Sequence, residues 1–132
     1  MAMYIKEFEE WNKVKQSINL EQKKVYIRAG EIRWCAIGVN VGSEIDGKGK
    51  SYTRPVLILH VIGAHLALVI PLTTKVKNIP GYVAFEWKGK EQALCLHQVR
   101  IISQKRLLPR KGRISADRLK AIKLQLKGFF NL

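Results

Sequence analysis

The spacing of hydrophobic and polar positions changes along the chain, and the changes mark its elements. From Tyr4 to Leu20, Phe8, Trp11, Lys15 and Ile18 recur near helical spacing. Glu7, Glu9 and Glu10 come early, where the positive end of a helix dipole favours acids. This predicts a short amphipathic helix, with the polar Glu21–Lys24 as a linker behind it. From Glu31 the period shortens. EIRWCAIG alternates and is β-branched and aromatic, as strands are. Strand-like runs follow at RPVLILHV (54–61), HLALVIPL (65–72), YVAFEW (82–87) and QALCLHQV (92–99), and RIISQKRL (100–107) adds a last short one. Lys88-Gly89-Lys90 is a hairpin turn, with Gly where a positive φ is needed. The end is helical again: Ser115 is a good N-cap, and Ile114 can pack on Leu119 as a staple. Leu119, Ile122, Leu126 and Phe129 share one face of this helix. Five or six short strands in so little chain usually curl into a barrel, which removes exposed edges. The expected architecture is mainly β: a small antiparallel barrel with a helix at each end.

Composition narrows the class. A chain of 132 residues fits one domain, and 47% hydrophobic with 26% charged residues is globular rather than a disordered basic tail. Lys and Arg number 24 against 10 acids, a net charge of +14. From Gln92 to Leu132 there are ten basic residues and one acid, Asp117, so this stretch carries +9 of that total. Such an excess predicts a polyanionic partner. The uncharged stretch Val56–Leu72 is shorter than the roughly 20 residues a membrane helix needs. It also carries His60, Gly63, His65 and Pro71, and reads better as two buried strands and a turn. Met1–Tyr4 has no signal-like pattern. Cys35 and Cys95 sit in apolar runs without CxxC spacing, which suggests buried free thiols in a reducing cytosol, with any pairing left to the fold. The expected location is cytoplasmic.

Little of the usual catalytic repertoire is visible. His60, His65 and His97 have neither HxxxH nor HxH spacing, so no metal is expected. DGKGK (Asp46–Lys50) has phosphate-loop character but lacks the hydroxyl and the strand-to-helix context. It is either a solvated turn or a contact to a nucleic-acid backbone. There is no GxSxG, and neither cysteine has a basic or polar setting. Two strand ends remain. Arg54 precedes Pro55 where a buried strand begins, and Thr73 and Thr74 follow Pro71-Leu72, with Lys75 and Lys77 beyond. An Arg and a hydroxyl on rigid strand ends beside a glycine-bearing loop would suit a phosphate. Taken alone, they are equally a solvated rim residue and a turn residue.

In series, GEIRWCAIG, NVGSEIDGKGKSYTRPVLIL, IPLTTKVK, LHQVRIISQKRL and GRISADRLKAIKLQLKGFF resemble the PemK/MazF family of bacterial type II toxin–antitoxin toxins. The resemblance runs from about Arg28 to Phe130. It divides the chain into an N-terminal helical extension and linker (1–27) and a toxin domain (28–132). It implies an SH3-like, Kid/MazF-type barrel that forms a homodimer and cleaves single-stranded RNA without metal or other cofactor. The substrate's 2′-OH would attack phosphorus, leaving a 2′,3′-cyclic phosphate and a 5′-OH. By resemblance Arg54 and Thr73 are catalytic, and Glu44 is the first candidate proton acceptor. Ser43, Lys48, Thr74, Lys75, His97 and Gln98 would contact RNA. His97 departs from the family, which often has an acid before this Gln. An imidazole titrates near neutral pH, so His97 is either a second candidate base or a base-contacting side chain. HVIGAH (60–65) is a second departure, an apolar loop where relatives are often polar. A small acidic antitoxin is the implied protein partner. Two other readings use the same surface: a barrel that binds nucleic acid without cleaving it, and a barrel toxin that inhibits a topoisomerase.

Overall fold

The computed structural model describes residues 5–22 and 24–132. Met1–Tyr4, the expected helix start at Tyr4 among them, and Lys23 of the linker lie outside the described residues. The elements are α1 (Phe8–Leu20), β1 (Glu31–Ala36), β2 (Thr53–Ile62), β3 (Leu66–Thr73), β4 (Tyr82–Trp87), β5 (Lys90–Cys95), β6 (Arg100–Ser103), β7 (Leu107–Arg113) and α2 (Ala116–Phe129). Single 3-10 turns at Leu96–Gln98 and Gln104–Arg106 interrupt the later strands. None of the helices among the described residues is long and apolar enough to cross a membrane.

The seven strands form one sheet in the order β4-β5-β3-β2-β1-β7, with β6 added beside β3, and every pairing is antiparallel. β3 is where the sheet bends. Leu66–Val69 pair with β6, while Leu72 and Thr73 pair with β5. The bend brings the outer strands β4 and β7 together without a ladder between them. The Trp87 ring fills the space beside Gly112, where a Cβ would lie 2.2 Å from Cζ2. Beyond it, Lys88 Nζ donates to the Lys111 carbonyl at 2.9 Å. The barrel is therefore closed by side chains rather than by backbone hydrogen bonds.

β2 runs through the middle and buries both faces, which is why VLIL is continuous rather than alternating. Leu57 and Leu59 join Ile32, Ile70, Leu72, Phe85 and Leu94 under α2, whose Leu119 and Ile122 cover that core together with Ile114. Val56 and Ile58 join Cys35, Ile37, Ala67, Val69, Ile102 and Leu107 on the other face. Leu126 packs at the margin and Phe129 is exposed, so the apolar stripe of α2 is buried only in its first turns. Ser115 caps the helix as expected, its hydroxyl accepting from the Arg118 N–H at 3.1 Å. Both cysteines are buried and free.

β7 has no counterpart in the sequence pattern. LLPRKGR neither alternates nor is apolar, and its pairing to β1 slips register twice. Charge holds it instead. Arg33 is buried, its Nε donating to Glu31 Oε1 at 3.1 Å, Nη1 to the Leu108 carbonyl at 3.0 Å and Nη2 to the Tyr26 carbonyl at 2.9 Å. One guanidinium thus ties β1, β7 and the segment before β1 together.

Candidate functional site

The β2–β3 ladder sets the site. Val56 pairs with Pro71, so two residues further the antiparallel register brings Arg54 opposite Thr73, on the same face. The side chains agree: Arg54 Nη1 lies 3.4 Å from the carbonyl of Leu72, next to Thr73. Arg54 is half-buried, and Nε donates to the Asp46 carbonyl at 2.8 Å. Its Nη2 has no protein partner among the described residues, and no carboxylate there forms an ion pair with it. Burial lowers its pKa from the usual value, while Cys95, Asp46 and Tyr82 nearby act in the opposite direction. A guanidinium that is held at one edge, open at the other and not neutralised is a seat for an anion. Thr73 is buried, and its Oγ1 accepts from the Lys75 N–H at 3.2 Å, which leaves the hydroxyl proton free to donate.

The loop between β1 and β2 forms one wall. Gln98 reaches into it from the 3-10 turn, its Oε1 accepting from the Ile45 N–H at 3.0 Å and its Nε2 donating to the Ser43 carbonyl at 3.0 Å. Its amide therefore braces Ser43–Ile45 rather than standing free for a base edge. Glu44 is exposed on this wall, with Oε1 accepting from the Val41 N–H at 2.8 Å. His97, one residue before Gln98, is exposed and lies over Gly81, its ring 4.9 Å from that of Tyr82. Lys77 stands over the other ring contact of Tyr82 at 5.6 Å. Cys95 lies beneath, its thiol pushed up to about 11 by burial despite the nearby Arg54 and Lys77.

The structure thus gathers Arg54, Thr73, His97, Gln98, Ser43 and Glu44 around one shelf, with Thr74 and Lys75 exposed at its edge. Lys48 is elsewhere. It lines a small cleft with Ile5, Glu7, Val39 and Tyr52, against the N-terminal segment. Two residues not singled out for the site in the sequence belong to it. Asp46 presents its carbonyl to Arg54, a role any residue could fill and no motif marks. Tyr82 opens β4 directly after Gly81, whose φ is +98°, and that positive φ is the one local sign that the chain turns there. The larger clefts lie away from the shelf: one of about 360 Å³ beside Trp11 and Arg106, the other of about 990 Å³ beside Tyr26 and Gln104. Neither is lined by Arg54 or Thr73, so the reactive groups face an open surface, which accommodates a polymer better than a small molecule. Among the described residues no three His, Cys, Asp or Glu side chains gather as metal ligands.

The comparison with known proteins agrees with this architecture. Residues 28–130 match the family described as PemK-like, MazF-like toxin of type II toxin-antitoxin system. The chain belongs to that family. Among solved structures it is similar to MazF from Deinococcus radiodurans, at 22% identity and a TM-score of 0.65, covering 82% of this chain and 100% of that one. It is also similar to the MazE–MazF structure from the same organism, at 19% identity and a TM-score of 0.59, covering 82% and 99%. A mycobacterial endoribonuclease in complex with its cognate antitoxin matches at 16% identity and a TM-score of 0.59, covering 81% and 97%. No curated protein sequence matches the chain.

Proposed function

We propose that the protein is a cytoplasmic, metal-independent endoribonuclease toxin that cleaves single-stranded RNA. The observation that carries this reading is the Arg54 guanidinium, half-buried, braced at Nε, without a carboxylate partner among the described residues, and beside the Thr73 hydroxyl. Membership in the MazF-like family supports it, as do structural neighbours named as an endoribonuclease and as MazE–MazF.

In this reading the substrate's 2′ oxygen forms a bond to phosphorus while the bond from phosphorus to the 5′ oxygen breaks. Negative charge grows on the non-bridging oxygens in the transition state. Arg54 meets that charge electrostatically; a guanidinium keeps its proton and is a poor acid. Thr73 donates its hydroxyl proton to a non-bridging oxygen. The 2′-OH proton goes to Glu44, whose Oε2 is the oxygen not engaged by Val41. His97 stands as the second candidate, and the 5′ oxygen leaves with a proton from water or the imidazole. Ser43, Thr74, Lys75 and Gln98 line the path of the chain on either side. A homodimer extends that path, and an acidic antitoxin silences the enzyme by covering the same basic surface.

The test is a digest of a complex RNA by purified protein in excess EDTA, with the ends mapped. Cleavage leaving 2′,3′-cyclic phosphate and 5′-OH ends, abolished by Arg54→Ala, supports the reading. Binding without cleavage overturns it in favour of a non-catalytic barrel. Intact RNA together with inhibited DNA supercoiling in expressing cells overturns it in favour of a topoisomerase inhibitor.

A further inference from the structure

The segment before β1 lies outside the family match, which begins at residue 28. It nevertheless reaches the loop that aims Arg54. Lys6 sends its ammonium into the loop between β1 and β2, donating to the Asn40 carbonyl at 2.5 Å and the Gly42 carbonyl at 3.0 Å. It also meets the Asp46 carboxylate, 3.2 Å from Oδ2 and 3.4 Å from Oδ1. An ammonium has three N–H donors, and here three acceptors take them. The Asp46 carboxylate in turn accepts from the Asn40 N–H at 2.7 Å, and Asn40 Nδ2 donates to the Ile45 carbonyl at 2.8 Å. Residues 40–46 are thereby folded around a cation supplied from outside the barrel. At the end of this ring stands the carbonyl of Asp46, which orients Arg54 Nε.

We infer that Lys6 is a positioning residue for Arg54, closing the Asn40–Asp46 loop so that the Asp46 carbonyl fixes the direction of the guanidinium. The inference rests on the reading of Arg54 as the group that meets the scissile phosphate. Anchoring of α1 and aiming of Arg54 fall to different side chains. α1 is anchored by Trp11, buried against Gly38, where a Cβ would come within 2.2 Å of the indole. Trp11 also meets Tyr52 edge-on at 5.8 Å, and the Tyr52 hydroxyl donates to Glu7 Oε2 at 2.7 Å. Tyr52 holds a left-handed φ of +52° two residues before Arg54, a conformation that persists only where the surroundings enforce it. Lys6 touches none of these groups in its printed bonds and acts on the loop alone. Its ion pair is also largely shielded, each side chain being 14% exposed, so salt screens it less than a surface pair.

The experiment compares wild type with Lys6→Met, Lys6→Arg, Asp46→Ala and the double variant Lys6→Met/Asp46→Ala. Lys13→Met, an exposed position on α1, removes the same charge without touching the loop. Two readouts are taken: RNA cleavage kinetics, and the NMR signal and exchange rate of the Arg54 Nε proton. Lys6→Met is expected to lower kcat by about ten- to a hundred-fold with KM within about twofold, because a misaimed group costs rate more than binding. The Nε proton should exchange faster, Lys6→Arg should recover part of both losses, and Lys13→Met should change neither. Asp46→Ala should match Lys6→Met, and the double variant should be no worse than either, as for two parts of one device. Unchanged kcat and Nε–H exchange in Lys6→Met, or additive losses in the double variant, overturn the inference. If wild type cleaves no RNA, the proposed activity fails, while the Nε–H exchange still decides whether Lys6 holds Arg54.

Discussion

Arg54 and Thr73 show how much of a site's chemistry depends on what a side chain is denied. Arg54 has a backbone carbonyl at one edge and no carboxylate to answer its charge among the described residues. Replacing it by Ala should lower cleavage by about a hundred- to a thousand-fold, the usual cost of removing one transition-state donor, with RNA binding reduced far less. Arg54→Lys should recover little, because an ammonium cannot brace on Asp46 and face a phosphate with a planar fork at once. Thr73→Ser should keep most of the rate and Thr73→Val should not; single-turnover assays on one oligonucleotide separate the two. Between the candidate bases, the pH–rate profile decides. If Glu44→Gln removes the rising limb while His97→Gln only shifts affinity, Glu44 is the acceptor. Both thiols are expected to be inert in the native protein. Burial pushes Cys35 up to about 12 and Cys95 to about 11, so a thiol reagent near neutral pH should label neither until the protein is unfolded.

At the scale of elements, the question is what holds the strands that have no good pattern of their own. β1, β2 and β3 are apolar enough to be legible as strands, and the register that sets Arg54 against Thr73 follows from burying both faces of β2. β7 is different. It is held through Arg33, whose buried guanidinium answers Glu31 and two carbonyls, one in β7 and one before β1. Arg33→Met should destabilise the protein by about 3–5 kcal/mol, since Glu31 is left as a buried charge with only the more distant Arg110 at 3.8 Å. Chemical denaturation measures this, and the loss should exceed that of any exposed Arg→Met change on α2. The N-terminal helix was legible from its period, and its acids near the start are where a dipole would place them. That it docks was not legible, because Trp11 finds its seat only at Gly38, a residue distant in sequence with no side chain to announce the contact. Gln98 shows the same limit. Its position beside the site could be read from the order of motifs, but that its amide braces Ser43 and Ile45 depends on how the loop folds back.

At the scale of the whole molecule, the charge of +14 attracts and the fold aims. RNA affinity should fall at least about tenfold between about 50 and 200 mM salt, with a linear log–log dependence, while the single-turnover rate at saturation stays nearly constant. Filter binding against quench-flow rates checks the separation. The two raised thiols also predict an alkaline weakness of the fold. Below their ordinary value of 9.0 the folded and unfolded chains both hold these protons. Between there and about 12 the unfolded chain releases them first, so stability falls as pH rises, and Cys35→Ala should flatten that slope. The sequence by itself determined the succession of helix, strands and helix, the basic excess, and the family to which residues 28–130 belong, because hydrophobic period, composition and motif order are local properties of a chain. Only the tertiary structure decided that β4 and β7 close the barrel through Trp87 and Lys88, and that Glu44, Gln98 and Arg54 share one shelf. It alone brought Lys6 to Asp46, 40 residues along the chain. Those contacts join positions far apart in sequence, and their partners are chosen by the sheet's register and bend rather than by any pattern the neighbours carry.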